Sequence, residues 1–441
     1  MYFLILLAAA FALAFAVSAI ACKLIVGIST HIGFVDRPAA HKQHGRIVPY
    51  GGGVGLWAGF FAGFTALTLL AGYYYVSFVN WDSEPPPTPL IDQDFQGVAW
   101  QLNVQLQSPP KARDEGIRLG SLTLCIFLLA TLLLVLGLRD DRKPMGPFVK
   151  LAAQLLCAAA AVAIGVRGGF LIDRFGWWGE IAAWLISAGW IVFITNSFNL
   201  LDNTDGLAAG VAAIAALCLC LIAYLTDQVA MGALMAVLAG ACTGFLLLNR
   251  HPAKLFMGDA GSLFIGFLFG CFTITFTYYH LDPQPGSHAL VPGAGSPLSL
   301  LIPPLLMALP LYDTFSVIYI RVREGRSIFV GDRRHFSHRL LDLGLSVRKT
   351  IGVIYLAELA MGLGATLLIF LPFSAGLLVV GQGLIVFTII TLLEHAGRQK
   401  HRALLEQQTA ADAAAPQGAA APDDVPTASR PSEPPELPPP A

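Results

Sequence analysis

Charge is what this 441-residue chain has little of: Asp, Glu, Lys and Arg together make up 12% of it, about half the share found in soluble domains. A globule with a solvated surface is excluded by that shortage, and the mean hydropathy of +0.67 places the chain in a bilayer. The apolar runs also lack alternation. They extend for about 20 residues without a period of two, which excludes a closed barrel and leaves helices to pair every backbone amide inside the hydrocarbon core. Cysteine occurs seven times (Cys22, Cys125, Cys157, Cys218, Cys220, Cys242, Cys271) but never at metal-ligand spacing or in a loop-to-loop framework, so each reads as a small core residue. No basic residue precedes the first apolar run, which is also longer than the roughly 7 to 15 residues of a signal peptide. The string Ala19-Ile20-Ala21-Cys22 only faintly resembles a lipoprotein cleavage site, and residues 2–27 are read as an uncleaved first span.

What is present is a series of candidate spans near residues 2–27, 51–78, 117–137, 148–165, 178–196, 206–226, 230–248, 262–280, 297–320, 350–371 and 375–394. With the N-terminus outside, about 20 Lys and Arg fall in the inner loops and about five in the outer ones, as the positive-inside rule requires. The expected fold is therefore all-α: a polytopic integral membrane bundle of about eleven transmembrane helices, its N-terminus external and its chemistry on cytoplasmic loops. Residues 1–402 form the transmembrane domain, with a Pro-rich external insertion at 81–116 and a long cytoplasmic loop at 321–349. Residues 403–441, rich in Ala and Pro, read as a disordered cytoplasmic tail that cannot bury enough apolar surface to offset its ordering entropy.

Acidic clusters stand beside helix ends on the expected inner face only. Asp140 and Asp141 are adjacent carboxylates that repel, so at least one should seek a cation, a proton or a metal. A solvated pair balanced by Arg139, Arg142 and Lys143 is the alternative. In the segment from Asn196 to Gly206, the i, i+3 spacing brings Asn199, Asp202 and Asp205 together on a helix. That array suits a ribose, a base edge or a hydrated metal, and equally an elaborate helix cap. Phe256-Met257-Gly258-Asp259-Ala260-Gly261-Ser262 precedes an apolar helix whose free N-terminal amides favour phosphate, while Asp259 offers a hard oxygen to Mg²⁺.

The loop at 321–349 carries Arg333, Arg334, His335, His338 and Arg339, with Arg323 and Arg326 nearby. Guanidinium forks match a diphosphate, though a basic stripe on anionic lipid is the plainer reading. The first inner loop holds Lys42 and His44 before Gly51-Gly52-Gly53, which suits either a ligand-approaching backbone or a loop anchored on head groups.

Taken in order, DRPAAHKQHGRIVPYGGG, GLRDD, NSFNLLDNTDGL, MGDAGS and PLYDTFSVIYIRVREGRS leading to DRRHFSHRL resemble the polyprenyl-phosphate N-acetylhexosamine-1-phosphate transferase superfamily from Asp36 to about Leu345. Within it, the last loop looks like that of the bacterial enzymes loading N-acetylglucosamine-1-phosphate onto undecaprenyl phosphate. The resemblance implies Mg²⁺, with Mn²⁺ a substitute, and release of UMP at the cytoplasmic face of the inner membrane in the first step of a lipid-linked envelope polysaccharide. The implied partners are a UDP-N-acetylhexosamine, undecaprenyl phosphate and the bilayer, with a homodimer open and no nucleic acid. It makes Asp140, Asp141, Asp202, Asp205, His335 and His338 catalytic, assigns Lys42, His44, Asn199, Arg333 and Arg334 to substrate, and gives the metal to Asp259, Asp140 and Asp202. One departure stands out: the family's HxHH string has histidine at its third position, where this chain has Ser337.

The physical chemistry supports the same reaction, since a lipid phosphate attacking a diphosphate brings two anions together and needs a metal and cations to lower the repulsion. Three rivals remain. Phospho-N-acetylmuramoyl-pentapeptide is the alternative donor, but the loop shows no peptide site. A transporter for an anionic solute would place its acids near the midplane and not at span ends. A catalytically silent scaffold would not keep acids at every motif.

Overall fold

A computed structural model describes residues 2–36, 47–79, 110–226, 228–278, 300–327 and 334–414. The apolar runs fold into α1 (Tyr2–His31), α2 (Gly52–Val79), α3 (Pro110–Arg142), α4 (Pro147–Ala163), α5 (Gly169–Leu201), α6 (Leu207–Leu225), α7 (Val229–Asn249) and α8 (Gly258–Tyr278). They are followed by α9 (Ile302–Leu306), α10 (Ala308–Arg323), α11 (Phe336–Asp342), α12 (Val347–Leu367) and α13 (Phe373–Ala414). Two short strands, β1 (Val35–Asp36) and β2 (Val48–Pro49), pair antiparallel and close the first loop at its base.

The protein is a polytopic helical membrane protein. Among the described residues, nine helices are long and apolar enough to cross a bilayer. The other two expected spans are shorter. Helix α4 has 17 residues, about 25 Å of rise against a core of about 30 Å. The region expected as one span at 297–320 is broken into α9 and α10, because Pro303, Pro304 and Pro310 remove amide donors and crowd the preceding turn. Helix α5 bends at Gly176, whose φ is 56°, so the expected span at 178–196 is the part beyond the bend.

Three boundaries differ from those read off composition. Helix α3 begins at Pro110, inside the stretch assigned to the external insertion, and residues 80–109 lie outside the described ones. The long loop at 321–349 contains α11 and the start of α12. Helix α13 runs to Ala414, past the boundary at 403, because Ala, Leu, Glu and Gln are good helix formers even where Pro-rich sequence follows.

The chain divides into Met1–Glu394, which holds every candidate span, and His395–Ala441. Within the first unit α1 packs on α2 and α7, α6 on α7 and α12, and α8 against α3 and α5. Helix α8 is central: 94% of its most apolar window is buried, against 11% for the last span. Its apolar residues, among them Phe264, Phe267, Leu268 and Cys271, are fully enclosed by other helices. The α8 N-terminus thereby becomes a fixed platform around which the other helix ends gather.

Candidate active site

Segments far apart in sequence meet where α3 and α5 end and α8 begins. Small residues make this possible. A Cβ at Gly137 would stand 2.5 Å from the Ala260 Cα, and one at Gly53 would stand 2.6 Å from the Gly261 Cα, closer than real Cβ contacts come. With glycine at both positions, the backbones of α2 and α3 lie directly against the first turn of α8. That contact carries Asp140 and Asp141 up to Asp259.

Asp259, in the first turn of α8, receives two cationic or polar partners. The Lys150 ammonium lies 2.7 Å from its Oδ2 and 3.0 Å from the Asp140 Oδ2, bridging two carboxylates from different helices. Asn199 donates through Nδ2 to the Asp259 Oδ1 and to the Ser262 Oγ, each at 2.9 Å. The second oxygen of Asp140 accepts the Met145 N–H at 2.6 Å. Lys150 counts among the expected inner-loop cations, and the sequence does not assign it to the site. Its signal is that it is the one charged residue of α4, in the first turn.

The amides at the α8 N-terminus, which the sequence offers to a phosphate, are partly taken. Asp141 accepts the Asp259 N–H at 2.8 Å and the Ala260 N–H at 3.3 Å. Gly258, with φ +70°, shapes this contact, and any side chain there would run into the Asp141 carboxylate. Asp141 thus caps the helix and complements its positive end. Tyr50 is a further lining group that sequence reasoning missed. Burial pushes its phenol above the usual range, and the carboxylates of Asp36, Asp141, Asp202 and Asp259 add to the shift.

Asp202 closes the cluster. Burial, followed by the carboxylates of Asp259, Asp141 and Asp205, pushes its carboxyl up to about 8. Its side chain accepts no hydrogen bond among the described residues, which leaves it facing other acids. Nor, among those residues, does any group of three or more His, Cys, Asp or Glu enclose a metal. That donor set fits Mg²⁺, which takes one or two carboxylates and completes its shell with water and substrate phosphates, and it does not fit a metal needing a full protein cage. Asp202 could hold such an ion with its free oxygens; Asp259 and Asp140, also expected as ligands, each have both oxygens engaged, Asp259 by Asn199 and Lys150 and Asp140 by Met145 and Lys150, so either joins an ion by releasing Lys150.

The histidine loop docks on this cluster through Ser337. Its hydroxyl donates to the Asn203 Oδ1 at 2.5 Å, and Thr204 donates to both the Ser337 Oγ (3.0 Å) and the Asn203 Oδ1 (2.9 Å). The residue that departs from the family string therefore ties α11 to the turn bearing Asp202. His335 is buried, with Nδ1 2.9 Å from the Asp313 Oδ2, and the other Asp313 oxygen accepts the Phe336 N–H at 2.6 Å. The buried His338 ring stands 6.4 Å from that of His335. The sequence assigns no role to Asp313, whose signal is that it is the one acid in α10. Arg334 is paired with Glu324.

Asp205 faces the other way. Its Oδ2 lies 2.8 Å from the His251 Nδ1 and accepts the Ala253 N–H at 3.0 Å. Beyond it lies a cavity of about 550 Å³ lined by Asp205, Arg250, His251, Lys254, Arg348 and Tyr355 among others, and by none of Asp140, Asp141, Asp202 and Asp259. Of the remaining expected site residues, Lys42, His44 and Arg333 lie outside the described ones.

Four carboxylates from three helix ends, one bridging lysine and a docked histidine helix, all on a polytopic helical bundle, define a membrane enzyme built for a charged substrate. The family model described as glycosyl transferase family 4 matches residues 123–277. The "Probable undecaprenyl-phosphate N-acetylglucosaminyl 1-phosphate transferase" of Bacillus subtilis is 29% identical over 352 residues, 78% of this chain and 80% of that one. The decaprenyl-phosphate N-acetylglucosaminephosphotransferase of Mycolicibacterium smegmatis is 32% identical over 329 residues, 71% of this chain and 79% of that one. A phospho-N-acetylmuramoyl-pentapeptide-transferase of Desulforudis audaxviator is 38% identical over 143 residues, but these cover only 30% of this chain and 41% of its own length. The chain belongs to this family, the polyprenyl-phosphate N-acetylhexosamine-1-phosphate transferases.

Proposed function

We propose that the protein transfers N-acetylglucosamine-1-phosphate, or a close N-acetylhexosamine-1-phosphate, from a UDP-sugar to undecaprenyl phosphate, releasing UMP. A lipid phosphate oxygen attacks the β-phosphorus of the donor, the bond to the α-phosphate breaks, and UMP leaves with the electron pair. The observation that carries this reading is the convergence of Asp140, Asp141, Asp202 and Asp259 at the helix ends, with Lys150 bridging Asp140 and Asp259. A site that must hold two phosphate-bearing substrates against their mutual repulsion needs such a mixed set of charges.

Mg²⁺ held by Asp202 and Asp259 would supply positive charge to the diphosphate. The protein's own groups do the rest. Asn199 fixes the orientation of Asp259, Lys150 balances the acids and Asp141 keeps the α8 N-terminus in place. His335, set by Asp313, and His338 lie on α11, which Ser337 ties to the turn bearing Asp202, and they are assigned to the diphosphate. Lys42, His44, Arg333 and Arg334 are assigned to the substrates. The positive-inside count supports a cytoplasmic site in the inner membrane and an external N-terminus.

The test offers purified protein a panel of UDP-sugars with undecaprenyl phosphate, with and without Mg²⁺, and identifies the lipid product and the nucleotide. The expected product from UDP-N-acetylglucosamine is a lipid diphosphate sugar together with UMP, formed only with the divalent ion. Product from the muramoyl-pentapeptide donor alone would assign the chain to the other branch of the family.

A further inference from the structure

The cavity beyond Asp205 is formed by the end of α7, the 250–254 link and the start of α12. Its polar side carries Arg250, Lys254 and Arg348, all exposed, against a single carboxylate. That carboxylate, Asp205, is already engaged by the His251 Nδ1 and the Ala253 N–H. Three cations therefore remain for an anion. The apolar side is Leu246, Leu247 and Ile351; Leu247 lies in the last turn of the α7 span and is 46% exposed. Basic pockets between membrane helices suit anionic head groups in this way.

We propose that this cavity seats the phosphodiester head group of an acidic membrane phospholipid, with its chains lying along Leu247. The occupant is a lipid and not the sugar donor, because Asp140, Asp141, Asp202 and Asp259 do not line the cavity and Asp205, the one expected site acid that does, has its Oδ2 taken by His251 and Ala253. It also has a route to that site. The Tyr355 hydroxyl, in the cavity wall, donates to the Gly206 carbonyl at 2.6 Å, and Asp205 and Gly206 end the turn that carries Asp202. An occupied cavity braces that turn from behind.

Native mass spectrometry of the full chain, taken from bilayer discs of equimolar phosphatidylcholine and phosphatidylglycerol, measures the retained lipid without any turnover. Failure here is thus separable from failure of the transfer reaction. Wild-type protein should keep phosphatidylglycerol in preference to phosphatidylcholine. An interfacial cation is worth about 1 kcal/mol, so Arg250→Gln with Arg348→Gln should retain roughly 25-fold less. Arg250→Lys with Arg348→Lys should retain it nearly as wild type does. Where the double glutamine variant does not elute as one species, Lys254→Gln alone is compared, with about fivefold loss expected. Equal retention by wild type and the glutamine variants overturns the proposal. So does displacement of the lipid by UDP, which would make the cavity a nucleotide site, or by glycerol phosphate alone, which would show that no lipid chain is bound.

Discussion

Lys150 sits between Asp140 and Asp259 much as a divalent ion would, and the two oxygens it touches come from helices that approach only because Gly137 has no side chain. Asp259 is the residue on which Lys150, Asn199 and the expected metal all converge. Asp259→Asn should leave insertion intact and lower transfer at least about 100-fold, since losing one preorganised charge-stabilising group costs about 3 to 4 kcal/mol. Near-normal turnover at limiting Mg²⁺ would remove Asp259 from the metal site. The raised carboxyl of Asp202 gives a pH dependence of known sign. In the metal-free protein it keeps its proton until about pH 8, and a divalent ion must displace that proton. Mn²⁺ affinity, followed by electron paramagnetic resonance, should therefore climb between pH 6 and about 8 and then level off. A flat profile would show that Asp202 does not touch the ion. Asn199, Asp202 and Asp259 were legible in the sequence because each lies in a compact polar string beside an apolar run. Lys150 was not, since its partner Asp259 is 109 residues away and nothing local announces the pairing.

At the level of elements, α11 is the piece whose position the sequence could not give. It is seven residues long and is held from three sides. Asp313 of α10 holds its N-terminus, the Asn203–Thr204 turn holds Ser337, and Glu394 of α13 lies 2.9 Å from the Arg339 Nε. Read as a string, Ser337 marks a missing imidazole; in the fold it is a hydrogen-bonding link, a role fixed by a turn over 130 residues earlier in the chain. Arg339 and Glu394 are both buried, and removing one partner of a buried pair costs about 3 to 5 kcal/mol, mostly because the other charge is left uncompensated. Glu394→Ala should therefore lower the thermal midpoint in detergent and speed proteolysis within 324–346. An unchanged midpoint would mean that α11 is held without α13.

For the whole molecule, the apolar runs made the helical bundle legible, because membrane burial acts on composition summed over some 20 residues. Breaks within a run were less so. The split between α9 and α10 depends on how closely spaced prolines are accommodated, and the length of α13 on helix propensity beyond the bilayer. Every site residue named above lies at or before Glu394. A chain ending at Arg402 should therefore transfer within about twofold of the full-length rate, since a segment as rich in Ala, Pro and acids as 403–441 has too little apolar surface to hold catalytic geometry. A large loss in a well-inserted truncation would give residues 403–441 a part in the site.

The central claim is that a phosphosugar, and not a bare sugar, moves to the lipid at the cluster around Asp259. Donor labelled with ³²P at the β-phosphate tests this most directly. With UDP-N-acetylglucosamine and undecaprenyl phosphate, the label should enter the lipid together with the sugar, the released nucleotide should be unlabelled UMP, and Asp259→Asn should abolish both. Label leaving as UDP while the sugar enters the lipid, or undiminished transfer by the variant, would contradict it.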